Sequence, residues 1–243
     1  MQIPARVRRA GDALLSLFFP PHCANCRADT ASGVHLCPVC ARDARRIIEP
    51  FCWHCSEPFE GEIDGRFSCS NCAGRTWHFE CAVAPYLSRG VVREFVHRFK
   101  YDHERFLRIP LAHWMADALA DPRLTSHPFD GIVPVPLHSA RRRERGFNQA
   151  EVLAELLSKR TGVPLLDGLR RTRYTTTQTR LDRRERMENL RNAFRVRQSS
   201  AVFSRHLLLV DDVFTTGSTV DECARVLRLA GAASVRVVTV ARG

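Results

Sequence analysis

The sequence predicts an α/β protein, a parallel sheet flanked by helices, with a small cysteine-rich module in front of it. Three observations predict this. An apolar run, Leu207, Leu208, Leu209 and Val210, ends at two carboxylates, Asp211 and Asp212, and a hydroxyl-rich turn then opens a helical pattern. A second strand-to-helix turn lies upstream, within residues 131–160. Eight of the ten cysteines fall in regularly spaced pairs near the amino terminus.

The run 207–210 has strand length and is wholly apolar, which suits the centre of a parallel sheet. Thr215, Thr216, Gly217, Ser218 and Thr219 follow the acids and supply hydroxyls and a flexible backbone. Amides at a helix N-terminus bind phosphate without a cationic side chain, so this turn is the candidate cradle. The acids at the strand end would face a ribose hydroxyl pair, and the whole fits a phosphorylated sugar. After the turn, Val220, Cys223, Ala224, Leu227 and Ala230 share one helical face, and Gly231 stands where a C-cap glycine would. Residues 234–240, SVRVVTV, form the next strand and complete a βαβ unit, right-handed by rule. Cys223 reads as a small core residue.

At 243 residues the chain accommodates one α/β domain and a small module, divided as 1–80 and 81–243. No stretch approaches a membrane span. The start reads as a short amphipathic helix with Leu14, Leu15, Phe18 and Phe19 packing on the body, not as a targeting signal. The net charge is +11, and residues 138–197 hold 16 Arg plus Lys against 7 Asp plus Glu. Such a field attracts polyanions, and arginine favours bidentate phosphate contacts.

Cys23, Cys26, Cys37 and Cys40 give C-x2-C-x10-C-x2-C, and Cys52, Cys55, Cys69 and Cys72 give C-x2-C-x13-C-x2-C. Each C-x2-C turn aims two sulfurs at one point, and two turns complete the tetrahedron of a closed structural zinc site. Sequential assignment gives two structural zinc ions; an interleaved pairing, first pair with third and second with fourth, satisfies the spacing equally. Closed sites leave no open position for hydrolytic chemistry. Metal binding would fold a segment of roughly 60 residues that is too short to build a core alone. Thiolate sites need a reducing compartment, so a cytoplasmic location is expected. Cys81 is left over for core packing, and His22, His35, His54 and His78 are expected to be solvated neighbours of the thiolates.

Val92, Phe95, Val96 and Phe99, then Leu107, Leu111, Trp114, Met115 and Leu119, have helical spacing and read as two core-facing helices. Lys100, one of two lysines, closes the first; it either reaches a phosphate or is a solvated helix end. GIVPVP at 131–136 is a strand, followed by a basic loop, LHSARRRERG, and a helix at 147–160. Arg141, Arg142, Arg143 and Arg145 make that loop a second anion-receptive turn, with a solvated basic surface as the alternative. Residues 170–195 lack an apolar period and read as a basic loop.

Residues 207–219 resemble the phosphoribosyl-pyrophosphate motif of type I phosphoribosyltransferases. Together with RRRERGFNQA, the QTRLDRRERMENLRNAF segment, VDDVFTTGSTVDECAR and the cysteine pairs, the chain resembles the competence protein ComF family from about residue 20 onward. The resemblance implies a double zinc-ribbon region joined to a type I phosphoribosyltransferase-like domain. It makes Asp211 and Asp212 the catalytic ribose-binding pair and residues 215–219 the 5'-phosphate cradle, with pyrophosphate held at the loop of Arg141, Arg142, Arg143 and Arg145. Magnesium would enter with phosphoribosyl pyrophosphate, held mainly by substrate and water. The implied reaction is pentosyl transfer, displacing pyrophosphate at the anomeric carbon through an oxocarbenium-like sugar. The family's link to natural transformation implies single-stranded DNA as a partner.

Three readings stay open: a donor-binding protein that handles single-stranded DNA, a phosphoribosyltransferase on a small acceptor unrelated to DNA uptake, and ribbons that recruit a helicase or another uptake protein. Thr215 stands where purine-salvage relatives carry an aspartate against the base, which disfavours a purine acceptor. The chain runs only to Gly243 after its last strand, so the acceptor pocket is expected from residues 81–120, the basic loop or the ribbons. Phe147 and Tyr174, and the ribbon aromatics Phe51, Trp53, Trp77 and Phe79, are candidate stacking faces, with ribbon core as the alternative.

Overall fold

The computed structural model describes residues 21–31, 34–173 and 190–243. The expected amino-terminal helix and most of the basic loop, Tyr174 included, lie outside the described residues. Two cysteine knuckles come first. The earlier one carries a short helix α1 (Pro38–Asp43), and the later one is held by isolated bridges, Phe51 to Pro58 and Cys52 to Phe67.

The α/β body opens with strands β1 (Ala82–Val83) and β2 (Tyr86–Leu87), then helices α2 (Gly90–Tyr101), α3 (Arg108–Asp117) and α4 (Pro122–Thr125). β3 (Gly131–Pro134) leads into α5 (Ser139–Arg145) and α6 (Gln149–Thr161). A hairpin of β4 (Leu169–Arg171) and β5 (Phe194–Val196) precedes β6 (His206–Val210), β7 (Val213–Phe214), α7 (Ser218–Leu229), β8 (Ser234–Val238) and β9 (Ala241–Arg242).

β1, β8, β6 and β3 form a parallel sheet in that order, with β6 central between β8 and β3. β2, β9 and β7 form a second parallel ladder, each strand prolonging β1, β8 or β6 beyond a break in pairing. The break in the central strand falls on Asp211 and Asp212. Two adjacent carboxylates cannot both enter a dry ladder, and pairing resumes beyond them in the same register, Val213 opposite Ala241 as Val210 is opposite Val238. Asp212 N donates to the Asp211 carboxylate at 2.9 Å, and Asp212 O accepts from Val240 N at 3.0 Å.

The strands alternate between two cores, as a two-residue period requires. Ile132, Leu208 and Val210 face α2, α3 and α6, whereas Val133, Leu207 and Leu209 face α7 and the second cysteine set. Cys52, Cys55, Cys69 and Cys72 therefore share a core with the sheet, while Cys23, Cys37 and Cys40 form a separate small cluster. On α7 the expected face is buried at Val220, Cys223, Ala224 and Leu227, and Gly231 adopts φ +90° at the turn beyond.

Two stretches differ from expectation. The basic segment after β3 is not a loop but α5: His138 Nδ1 accepts from Ala140 N at 3.2 Å to cap its start, and Gly146, at φ +75°, ends it. Caps at both ends make a helix of seven residues without any apolar period to announce it. The flanks of the 170–195 segment are the antiparallel pair β4 and β5, in register at Arg170 and Arg195. Strands of three residues are too short for alternation to show in sequence.

Candidate functional site

The cysteines assemble as two sets, Cys23, Cys26, Cys37, Cys40 and Cys52, Cys55, Cys69, Cys72, with the sulfurs of each set within 4.8 Å of one another. Pairing is thus sequential, not interleaved. Four sulfurs at about 2.3 Å from a zinc ion stand roughly 3.8 Å apart, and the Cys26–Cys37 and Cys55–Cys69 sulfur separations are both 3.6 Å. All ten cysteines are free of disulfides. The chain holds two structural four-thiolate zinc sites. Cys81 is buried, its thiol pushed up to about 12 by burial and its Sγ donating to Arg123 O at 3.6 Å. Of the flanking histidines, His78 is more than solvated: its backbone N and Nδ1 both meet the Asp221 carboxylate, at 2.8 and 3.2 Å.

At the carboxyl end of β6 the acid pair meets Lys100, whose Nζ lies 3.0 Å from Asp212 Oδ1. A helix ending beside the sheet delivers that ammonium, so Lys100 is an inward-reaching cation and not a solvated helix end. Asp212 is buried, and its Oδ2 has no hydrogen-bond partner among the described residues. A buried acceptor without a donor is costly unless a ligand supplies one. Burial, and then the neighbouring Asp212 charge, raise Asp211 from the ordinary carboxylate value to about 7, against the opposing pull of Lys100 and Arg171. Arg171 on β4 is a contributor that sequence reading passed over, because nothing in the sequence brings β4 to the end of β6.

The hydroxyl-rich turn links β7 to α7. Gly217 sits at the N-cap with φ +76°, and Thr216 Oγ1 lies 3.0 Å from Ser218 Oγ. A Cβ on Gly217 would stand 2.6 Å from Phe214 Cζ and 2.9 Å from Trp77 Cη2, so the second ribbon packs directly on the turn. Arg242 reinforces the contact by pairing with Glu57 of the ribbon and donating to Phe214 O. A cavity of about 290 Å³ lies at this seam, lined by Cys55, Cys72, Trp77, Thr215, Thr216 and Arg242 among others.

The four arginines of α5 do not act alike. Arg142 reaches Glu151 at 3.0 Å and borders a cavity of about 190 Å³ beside Pro134, Arg170 and Arg197. Arg143 is exposed and Arg141 half-buried. Arg145 is buried and donates to Tyr101 Oη at 3.1 Å, so part of its guanidinium is engaged in holding the end of α2. Phe147, Phe79 and Trp77 are likewise packing residues, at ring distances of 5.0 Å for Phe147 on Phe99 and 4.8 Å for Trp77 on Phe79. Trp53 lies beneath the Arg66 guanidinium at 4.2 Å, and Phe51 beneath that of Arg123 at 4.4 Å.

Sequence reading also missed the buried arginines. Arg236, on β8, is fully buried and bonds Glu80, Leu124 O and His127 O; Arg123 grips Asp121 and reaches Trp53 O. The partners of Arg236, and Trp53 for Arg123, are far away in sequence, so no local signal marks those contacts.

Residues 14–73 match the model of the double zinc ribbon domain, and residues 145–243 that of the phosphoribosyl transferase domain. The chain is 31% identical to competence protein F of Haemophilus influenzae, over 93% of this chain and 98% of that one. It is 34% identical to the DNA utilization protein YhgH of Escherichia coli, over 91% and 96%. Identity to competence protein ComFC of Streptococcus pneumoniae is 28%, over 85% and 87%. No helix among the described residues is long and apolar enough to cross a membrane.

Proposed function

The chain belongs to the competence protein F family, with a double zinc ribbon joined to a phosphoribosyltransferase domain, and from that premise we propose that it binds phosphoribosyl pyrophosphate with magnesium and acts on or beside single-stranded DNA. The observation that carries the reading is the convergence of Lys100, Asp211, Asp212 and the turn at Thr215, Thr216, Gly217 and Ser218 at one strand end. The unpartnered Oδ2 of Asp212 suits a ribose hydroxyl or a metal-bound water. The amides of the first turn of α7 suit a 5'-phosphate. Magnesium, when bound with the donor, would supply charge neutralisation at the pyrophosphate, with Asp211 and Asp212 as the acids beside it. Lys100, at 3.0 Å from Asp212, is proposed to turn from that carboxylate to the leaving charge when the ribose hydroxyls arrive. Arg141, Arg142 and Arg143 on α5 are the proposed further contacts of the pyrophosphate. Pentosyl transfer follows if a nucleophile reaches the anomeric carbon, and in that step the chain positions and stabilises charge without forming a covalent bond of its own.

The DNA part of the reading takes its support from the names of the relatives and from the arginine excess of residues 138–197. A helicase or another uptake protein remains the candidate partner for the ribbons. The test is calorimetric titration of phosphoribosyl pyrophosphate with magnesium into the parent chain and into Asp212→Asn. Binding in the parent and a loss of about 1–3 kcal/mol in the variant are expected, the scale of a charged hydrogen bond. Absence of binding in the parent, or equal binding in both, would overturn the assignment.

A further inference from the structure

Pentosyl transfer needs a place for the nucleophile, and the cavity of about 290 Å³ at the seam between the second ribbon and the hydroxyl-rich turn offers one. Thr215 and Thr216 belong both to the proposed phosphate cradle and to the wall of this cavity. Thr215 stands between Asp212, three residues before it, and Gly217, two residues after it, so a ligand in the cavity lies against the sugar site. Much of the remaining wall is ribbon, namely Cys55, Glu57, Cys72 and Trp77, and Arg242 of β9 joins it through the pair with Glu57. A larger cavity of about 580 Å³, lined by Trp53, Arg66, Glu62 and Asp64 among others, includes no residue of the turn or of the strand ends.

The wall chemistry selects the ligand. A volume at the small end of ligand pockets suits a single ring and its water better than a whole nucleotide. Two N–H donors on lining residues, Trp77 Nε1 and Arg242 Nε, are buried without a hydrogen-bond partner among the described residues. Buried donors left unpaired are costly, and carbonyl oxygens of a ligand would satisfy them. Trp77 can offer this edge but not its faces, because the Arg75 guanidinium lies 3.5 Å from its ring centre and the Phe79 ring 4.8 Å away. The other Arg242 nitrogens are engaged by Glu57, Phe214 O and Gly243 O, which leaves Nε. Glu57, an acceptor only, can take an N–H from the ligand in return. Arg242 balances Glu57 in charge, whereas four thiolates on a divalent zinc ion leave the site of Cys55 and Cys72 a formal dianion. A neutral ligand is thus favoured over an anionic one.

We propose that this cavity binds the pentosyl acceptor, a neutral, carbonyl-bearing nitrogen heterocycle of single-ring size, with Trp77 Nε1 and Arg242 Nε donating to its carbonyls and Glu57 accepting from its N–H. The proposal rests on the donor-binding part of the reading above and names the substrate class of that same site. In the transfer a ring nitrogen forms the bond to the anomeric carbon while the bond to pyrophosphate breaks. Pyrophosphate keeps the electron pair, and the ring N–H proton passes to water. The second ribbon is thereby a wall of the substrate site as well as a support of the fold.

The experiment is calorimetric titration of uracil, as the probe, into the zinc-loaded chain, alone and with ribose 5-phosphate, pyrophosphate and magnesium, which fill the donor site without permitting transfer. Orotate, the same ring carrying a carboxylate, is the comparison. Uracil is expected to bind, and orotate to bind roughly tenfold more weakly or worse, the effect of a like charge nearby. Trp77→Phe, which removes the N–H and keeps an aromatic ring, should weaken uracil binding about two- to tenfold, the loss of one hydrogen bond. Glu57→Gln leaves the Arg242 charge unbalanced and should narrow the preference for uracil over orotate. Trp53→Phe, at the larger cavity, should bind uracil as the parent does. Two zinc ions per chain and the parent melting temperature verify the fold of each variant; if Trp77→Phe melts well below the parent, the selectivity of Glu57→Gln decides alone. No uracil binding in either condition, orotate bound as tightly as uracil, an unchanged preference in Glu57→Gln, or equal loss in Trp53→Phe overturns the proposal. Phosphoribosyl pyrophosphate binding without uracil binding keeps the donor assignment and discards this pocket, and uracil binding with the expected selectivity but no donor binding keeps the pocket and discards the donor assignment.

Discussion

Replacing Gly217 by alanine tests how tightly the second ribbon and the hydroxyl-rich turn are joined. Two costs add. A left-handed residue with a side chain costs about 1–2 kcal/mol, and φ at Gly217 is +76°. The new Cβ would also stand 2.6 Å from Phe214 Cζ and 2.9 Å from Trp77 Cη2. Overpacking of this kind costs about 1–3 kcal/mol. The sum, about 2–5 kcal/mol, lowers the melting temperature by roughly 4–20 °C for a chain of this size. Gly74→Ala separates the two costs, because Gly74 has φ +70° with nothing within 4 Å of its Cβ position. That control should show only the backbone cost. Thermal unfolding of both variants, followed by tryptophan emission, measures the difference, and Gly217→Ala should also shift the emission because Trp77 must move. Equal melting temperatures for the two variants would refute the packing of the ribbon on the turn.

Cys55→Ser should cost one zinc ion and lower the melting temperature of the whole chain, since the second set shares the core of the sheet, whereas Cys26→Ser should cost one zinc ion and leave the main transition unchanged. Equal effects on the transition would contradict that division, by metal analysis and calorimetry. Asp211, raised to about 7 from an unfolded value of 3.8, binds a proton in the folded chain that the unfolded chain has released between those values. Its contribution to stability is thus favourable below that window and lost as pH rises through it. Asp211→Asn should melt above the parent at about pH 8, with a margin that shrinks toward about pH 5 as the folded parent takes up the proton. A margin that is constant with pH, or a variant that melts lower at the higher pH, would reject the assigned cause.

Much of the site was legible because it is local. Leu207 to Val210, the acids and the turn are contiguous, and a strand, a phosphate-type turn and a helix leave their periods in adjacent residues. The zinc ligands were legible for the same reason, since two C-x2-C turns fix four sulfurs within a few residues of each other. The helix α5 was not: its caps, His138 and Gly146, enclose charged residues with no apolar face to count. Arg145 illustrates the limit. Its place in a basic run gave no sign that it is buried and bonded to Tyr101, 44 residues away.

By itself the sequence determined the fold class, the eight thiolate ligands and the positions of the acid pair and turn, because each follows from hydrophobic period or short-range spacing. The tertiary structure alone decided that zinc pairing is sequential, that Lys100 reaches Asp212, and that the second ribbon closes on Gly217 through Trp77 and Arg242. Those are encounters between residues far apart in the chain. Only the burial that folds the sheet against its helices and ribbon brings them within hydrogen-bonding distance, and no local pattern encodes which distant partner a charged or aromatic side chain will meet.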